Sequence, residues 1–298
     1  MATIAEQLTS LAETKTAIKD AIVNRGVAVS DTDTFRSYAD KIGQIQAGGG
    51  EPATKFGATV DTFLGDVDAN GVYQEPTGTK ELNLSGVKSI GSYGMQYRFY
   101  KSKCISSVIS DSLQSIDAYG FDYAFQGNSN LTRVELGFLE TVSTYGMRNS
   151  FNGCPITHLN LSSLKNVGEK AFDYAFYGCK YNVELDLSSL ETIGFNGFNS
   201  AFYGNSNLEN VNLSSLKTLD NRAFDYAFNN CGKLTILSFP SLTNVQSASF
   251  GLSSTLAFKN CNSLTEIHFR ADMQATIEGL TGYSSKFGAT NATIYFDL

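Results

Sequence analysis

Leu185-Asp186-Leu187-Ser188-Ser189-Leu190-Glu191-Thr192-Ile193 carries apolar residues at its first, third, sixth and ninth places, with polar residues between them. This spacing describes a short strand with its apolar side chains on one side, then a corner, then a second extended stretch. The pattern returns along the chain. Its strand starts fall at Leu82, Val108, Val134, Leu159, Leu185, Val211, Leu237, Ile267 and Ile294, at intervals of 26, 26, 25, 26, 26, 26, 30 and 27. A period near 26 residues means one structural unit copied along an axis, and predicts a solenoid.

Two further columns run in step with the strands. The first is Met95, Phe121, Met147, Phe172, Phe198, Phe224, Phe250 and Leu280; the second is Phe99, Phe125, Phe151, Phe176, Phe202, Phe228 and Phe258. One coil cannot bury these rings by itself, whereas stacked coils lay ring on ring into a continuous core. Three residues after the second column stand Asn128, Cys154, Cys179, Asn205, Cys231 and Cys261. A place that accepts only Asn or Cys predicts a small buried polar group bonded to the backbone of a tight turn.

Leu-x-Leu-Ser-Ser-Leu followed by Ala-Phe-x-Gly-Cys resembles the BspA-like leucine-rich repeat over about two-thirds of the chain. The closest matches are Ala175-Phe176-Tyr177-Gly178-Cys179 and Ser150-Phe151-Asn152-Gly153-Cys154, and Ala292-Thr293-Ile294-Tyr295-Phe296 is similar to the way such arrays end. The expected fold is an α+β repeat: a leucine-rich-repeat solenoid with about eight to nine short parallel strands over residues 81–298, preceded by a small helical hairpin. Some units depart from the pattern. Ser110 replaces the third-place leucine, Ser102 replaces the Asn or Cys, Asn182 stands where its neighbours have Leu or Ile, and residues 252–255 form an insertion.

With 298 residues and 42% hydrophobic content, the chain can hold two domains and a real core. A net charge of −7 argues against nucleic acid, whose binding needs clustered Lys and Arg to release counterions. No apolar run reaches the length of a membrane span, so no membrane insertion is expected. Glu6, Glu13, Lys15, Lys19 and Asp20 are spread through the first 30 residues, which therefore lack the apolar segment of a secretory signal. Four of the five cysteines fall in the Asn-or-Cys column, so their spacing reports the coil period and predicts buried thiols without disulfides. Cys154 and His158 alone are too few for a metal centre, and neither metal nor cofactor is expected.

Residues 1–47 differ in kind. Ile4, Leu8, Leu11, Ile18 and Ile22 recur at helical spacings, interrupted by Lys15, and a second helix carries Phe35, Tyr38, Ile42 and Ile45 on one face. Such a hairpin serves either as a packing appendage or as an anchor for docking and oligomerisation. Lys15-x-x-Ile18-x-x-Ala21-Ile22, Arg25-Gly26-Val27-x-Val29 and Phe35-x-x-Tyr38-x-x-Lys41-Ile42 resemble an N-terminal segment found on structural proteins of phages and prophages of gut bacteria. That resemblance implies an anchor to other virion proteins. Residues 48–56, with Gly48-Gly49-Gly50, read as a flexible linker, and residues 57–80 as an N-terminal cap. Within the cap, Asp66-x-Asp68-x-Asn70-Gly71 matches the opening of a calcium loop, but Thr77 stands where the bidentate Glu belongs. Asn70-Gly71 instead predicts a hairpin with a two-residue turn.

Catalysis by a nucleophile needs a base beside it, and the only histidines, His158 and His268, lie in the fourth and eighth units. No enzyme is expected. Two surfaces are candidates for binding. Outward places on the strands include Arg133, Glu135, His158, Asn160, Glu184, Asp186, Asn210 and Asn212, whose chemistry wanders as exposed positions do. A second column, Tyr97, Tyr123, Asn149, Tyr174, Ser200 and Tyr226, is preceded by Gln96, Asp122, Arg148, Asp173, Asn199 and Asp225. Rings beside carboxylates and amides suit contact with a sugar or a protein, or with one another. The leading expectation is a non-enzymatic virion fibre or adhesion protein of a phage. In this reading it self-associates through the helical anchor and recognises a host surface protein or glycan through the solenoid. The alternative is a bacterial cell-surface adhesin, which is what the BspA-like resemblance by itself implies.

Overall fold

The computed structural model describes residues 66–67, 73–74, 80–179 and 184–298. The helical hairpin and anchor stripe of residues 1–47, the linker and most of the cap lie outside the described residues. Within the cap, Asp66–Val67 pairs antiparallel with Tyr73–Gln74, Val67 opposite Tyr73. This is a hairpin, but five residues separate its strands in place of the predicted two-residue turn.

Each repeat makes one coil with two strands. The leading strands form two parallel sheets in chain order. Lys80–Asn83, Ile105–Ile109, Arg133–Glu135 and His158–Asn160 make one; Glu184–Asp186, Asn210–Asn212, Ile236–Phe239, Glu266–Phe269 and Thr293–Phe296 make the other. After the corner, a second extended pair of residues joins a seven-stranded parallel sheet running from Ser89–Ile90 to Asn244–Val245. In-register pairing of Glu184 with Asn210 and of Thr192 with Thr218 repeats the 26-residue offset.

The third side of the coil is neither strand nor helix, which corrects the α+β description: the described repeats form a β-solenoid. In the first coil the N–H groups of Gly94, Gln96, Arg98, Tyr100 and Ser102 each bond the carbonyl three residues back. The alternate groups of Tyr93, Met95, Tyr97, Phe99 and Lys101 reach across to carbonyls of the next coil. Every fourth residue takes a left-handed conformation, as at Tyr93 (φ 61°), Tyr97 (φ 55°) and Lys101 (φ 54°). A helix cannot propagate through such residues, whose backbone costs about 1–2 kcal/mol each in a non-glycine. In this coil the alternating bonds leave every N–H from Tyr93 to Ser102 partnered, and that offsets the strain. The third left-handed place in later coils passes to Gly127, Gly153, Gly178 and Gly204, where it carries little cost. The insertion fits this frame: Phe224 N–H bonds Ser249 C=O but Tyr226 N–H bonds Thr255 C=O, so the extra residues bulge outward and the ladder resumes.

Both Phe columns are buried. The second column stacks face to face, with centroids 5.4, 5.1, 5.3, 5.6 and 5.6 Å apart from Phe99 through Phe228. In the last coil Ala271–Met273, the one-turn helix Gln274–Glu278 and Tyr283–Gly288 replace the ladder. They lay Phe287 over Phe250 at 4.5 Å, closing the core at that end.

The Asn-or-Cys column bonds as expected and ties neighbouring coils. Asn128 Nδ2 donates to Phe99 C=O at 2.6 Å, Cys154 Sγ to Phe125 C=O at 3.0 Å, Cys179 Sγ to Phe151 C=O at 3.3 Å, and Asn205 Nδ2 to Phe176 C=O at 3.0 Å. The four column cysteines are buried free thiols, and burial pushes those of Cys154 and Cys261 up to about 12. Ser110, the departure at the leucine place, is buried and donates to Leu84 C=O at 3.2 Å. Asn128 and Asn205 each leave a buried Oδ1 without a partner among the described residues. Cys179→Asn should therefore keep the bond to Phe151 and cost only about 1 kcal/mol, for one orphaned acceptor. Cys179→Leu loses the bond and overpacks the turn, at up to about 3 kcal/mol. Equal melting midpoints would show that the thiol is merely an apolar filler.

Candidate recognition surface

Of the outward strand positions, three turn the corner of the coil. Asn160 Oδ1 accepts the N–H of Ser162 at 3.1 Å, Asp186 Oδ1 that of Ser188 at 3.0 Å, and Asn212 Oδ1 that of Ser214 at 3.1 Å. This is Asx-turn chemistry, and it accounts for the short amides and acids of that column. Glu184 and Asn210 are exposed on the same sheet face. Glu135 gathers Arg133, at 3.0 Å, and His158. Burial raises its carboxyl, but bonds from Asn160, His158 and Arg133 outweigh that and hold it below the usual range. His268 lies four coils on, between Asp297 at 2.8 Å and Glu266 at 3.1 Å, stacked on Tyr295. Burial lowers its pKa, yet the two carboxylates raise it overall.

The turn ladder presents the denser surface. Tyr97, Tyr123, Tyr174 and Tyr226 all occupy its left-handed places, so the backbone aims each ring alike. Two neighbouring columns extend the array: Tyr93, Tyr119 and Tyr145 four residues earlier, and Tyr100, Tyr177 and Tyr203 three residues later. Sequence reasoning picked out the middle column and missed these two, although both recur at the same period. Together they put ten of the chain's fifteen tyrosines on one side of the coil. Tyr93 stacks on Tyr119 at 4.9 Å, Tyr119 on Tyr145 at 5.0 Å, Tyr97 on Tyr123 at 4.8 Å and Tyr177 on Tyr203 at 4.7 Å. Tyr93, Tyr97 and Tyr100 are 59%, 51% and 42% exposed, a large aromatic area held by stacking of Tyr93 and Tyr97 on rings of the next coil.

A polar ladder supports the rings. Asp122, fully buried, accepts two bonds from Arg148 at 2.8 and 2.9 Å and one from Gln96 at 2.8 Å. Arg148 in turn lies 5.6, 5.3 and 4.8 Å from the ring centroids of Tyr119, Tyr123 and Tyr145. Farther along, Asn199 Nδ2 donates to Asp173 at 2.7 Å, and Arg222 pairs with Asp225 at 2.6 Å. Burial raises the Asp173 carboxyl, against the pull of Asn199. A groove of about 340 Å³ opens where Ser200 interrupts the tyrosines, lined also by Tyr174, Tyr177, Tyr203, Tyr226, Asn229, Lys259 and Asn260.

Coils of two short parallel strands around stacked leucine and phenylalanine columns define a leucine-rich-repeat solenoid. The chain belongs to the BspA-type leucine-rich repeat family, whose model, the BspA type leucine rich repeat region, matches residues 88–226 and 225–280 in six copies. Among solved structures, it is similar to a leucine-rich repeat protein from Bacteroides ovatus ATCC 8483, at 18% identity and a TM-score of 0.36, covering 67% of this chain and 63% of that one. It is also similar to the pneumococcal vaccine antigen PcpA, at 17% identity and a TM-score of 0.23, covering 79% of this chain and 83% of that one. No curated protein matches it.

Proposed function

We propose that this protein is a non-catalytic adhesin of a bacterial cell surface, which recognises a host glycan or glycoprotein through the tyrosine face of its turn ladder. The observation that carries the reading is the array of exposed and half-buried rings fixed at 4.7 to 5.0 Å spacing by the coil repeat. Rings already held in place lose little freedom on binding, so the contact area they offer converts efficiently into affinity. Membership of the BspA-type family supports the cell-surface setting over the virion setting. The latter rests on residues 1–47, outside the described residues.

Two measurements test this. Full-length protein should bind a mucin-coated surface, and the double substitution Tyr97→Ala, Tyr123→Ala should weaken that binding by about tenfold or more. Undiminished binding would sink the role of the face. Peptides of the chain should be found in washed cell envelopes; their confinement to purified phage particles would restore the virion setting.

A further inference from the structure

We propose that the interruption at Ser200 is a binding slot for one pyranose ring bearing a carboxylate, the acidic sugar of a glycan. The proposal rests on reading the tyrosine face as a recognition surface, and it names the ligand class and the place. Tyr174 and Tyr226 stand two coils apart in the same column, at the same left-handed backbone place as Ser200 (φ 54°, 50° and 52°). Since coils repeat at about 4.8 Å, the two rings flank a gap of about 9.6 Å. One ring inserted midway lies about 4.8 Å from each wall, within the stacking range of aromatic faces. The column has one other interruption, at Asn149, and it is filled: Arg148 lies over Tyr123 at 5.3 Å, and Asn149 Oδ1 accepts a bond from Asn152 at 2.8 Å. At Ser200, itself only 2% exposed, the preceding Asn199 is turned to Asp173, and among the described residues the surrounding rings leave a groove above it.

The rim decides what kind of ring fits. Besides the walls, the groove is lined by the hydroxyl-bearing Tyr177 and Tyr203, by Asn229 and Asn260, and by Lys259, the one charged side chain among its lining residues. Asn229 is only 4% exposed, and its Oδ1 has no partner among the described residues. An aromatic side chain inserted from a protein partner would meet this polar edge with carbon and leave it unpaired. A pyranose offers C–H faces to the two tyrosines and hydroxyls around its edge to the rim. Lys259 adds a single exposed cation, which selects a carboxylate on that ring.

The test uses the full chain with N-acetylneuraminic acid, galacturonic acid, galactose and a tyrosine-containing tripeptide, followed by ligand-observed NMR. Both acids should bind, and galactose about tenfold or more weakly, because a charge-assisted bond is lost. Lys259→Gln should bring the acids down to the level of galactose. Ser200→Tyr fills the slot with the residue its own column uses, so it should abolish binding while the melting midpoint stays at or above that of wild type. Acid binding that survives Ser200→Tyr, or a preference for the tripeptide or for galactose, would overturn the proposal. The outcomes separate from those for the whole face. If Ser200→Tyr attaches to mucin as wild type does while Tyr97→Ala, Tyr123→Ala does not, the slot is refuted and the face stands.

Discussion

Phe176→Ala or Phe202→Ala is expected to lower stability by about 3–5 kcal/mol, because each opens a cavity that stacked coils cannot collapse around. Phe176 lies between Phe151 at 5.3 Å and Phe202 at 5.6 Å, nearly parallel to both, and makes a tilted contact with Phe172 at 6.0 Å. Both rings are fully buried. The backbone beside them is fixed by bonds on either side: Phe176 N–H to Ala201 C=O at 2.9 Å, and Asn205 Nδ2 to Phe176 C=O at 3.0 Å. The coils therefore cannot move together to close the hole, so the upper part of the range is expected. Chemical denaturation would measure it, with Phe176→Leu as the milder comparison. An unchanged midpoint would mean that the ring is not held in the core.

Arg148→Ala should produce the second large loss, about 2–4 kcal/mol, by leaving the buried carboxylate of Asp122 with Gln96 as its remaining side-chain donor. The Arg148 side chain is 27% exposed, which places the cost below that of a fully interior pair. Its bonds to Asp122 hold its charge more firmly than usual, against the opposing effect of burial. Arg148→Lys should recover only part of the loss, since an ammonium cannot reproduce a two-pronged bond. The near-ultraviolet signal of the tyrosines supplies a second readout, because the same guanidinium lies against Tyr119, Tyr123 and Tyr145. A loss of stability smaller than about 0.5 kcal/mol would show the pair to be screened like an ordinary surface ion pair.

The solenoid was legible because burial repeats: Leu185, Leu187, Leu190 and Ile193 are all buried, and the same places in other coils set the period. The corner and the second strand could be read from that stretch for the same reason. The Asn-or-Cys column could be read because two unlike residues sharing one place point to a common hydrogen bond. The turn ladder could not be read. Left-handed backbone is signalled in sequence mainly by Gly and Asn, yet here Tyr93, Tyr97, Tyr119 and Tyr123 adopt it, imposed by the coils on either side. For the same reason the tyrosine face was only partly visible. Its middle column stood out, while the neighbouring ones became one surface only when the turns brought them together. The strand face went the other way: Asn160, Asp186 and Asn212 looked like unconstrained exposed positions but serve the corner.

Alternate hydrogen bonds of the turn ladder run along the stack, from one coil to the next. A pull applied between the two ends of the array would load these interfaces in series and in tension, so the weakest would part first while the others held. Each 26-residue coil that peels away pays out roughly 90 Å of slack tether at about 3.4 Å per residue. Under flow, an attachment built this way should lengthen in steps and not snap. A molecule gripping through its tyrosines could then yield until neighbouring copies shared the load.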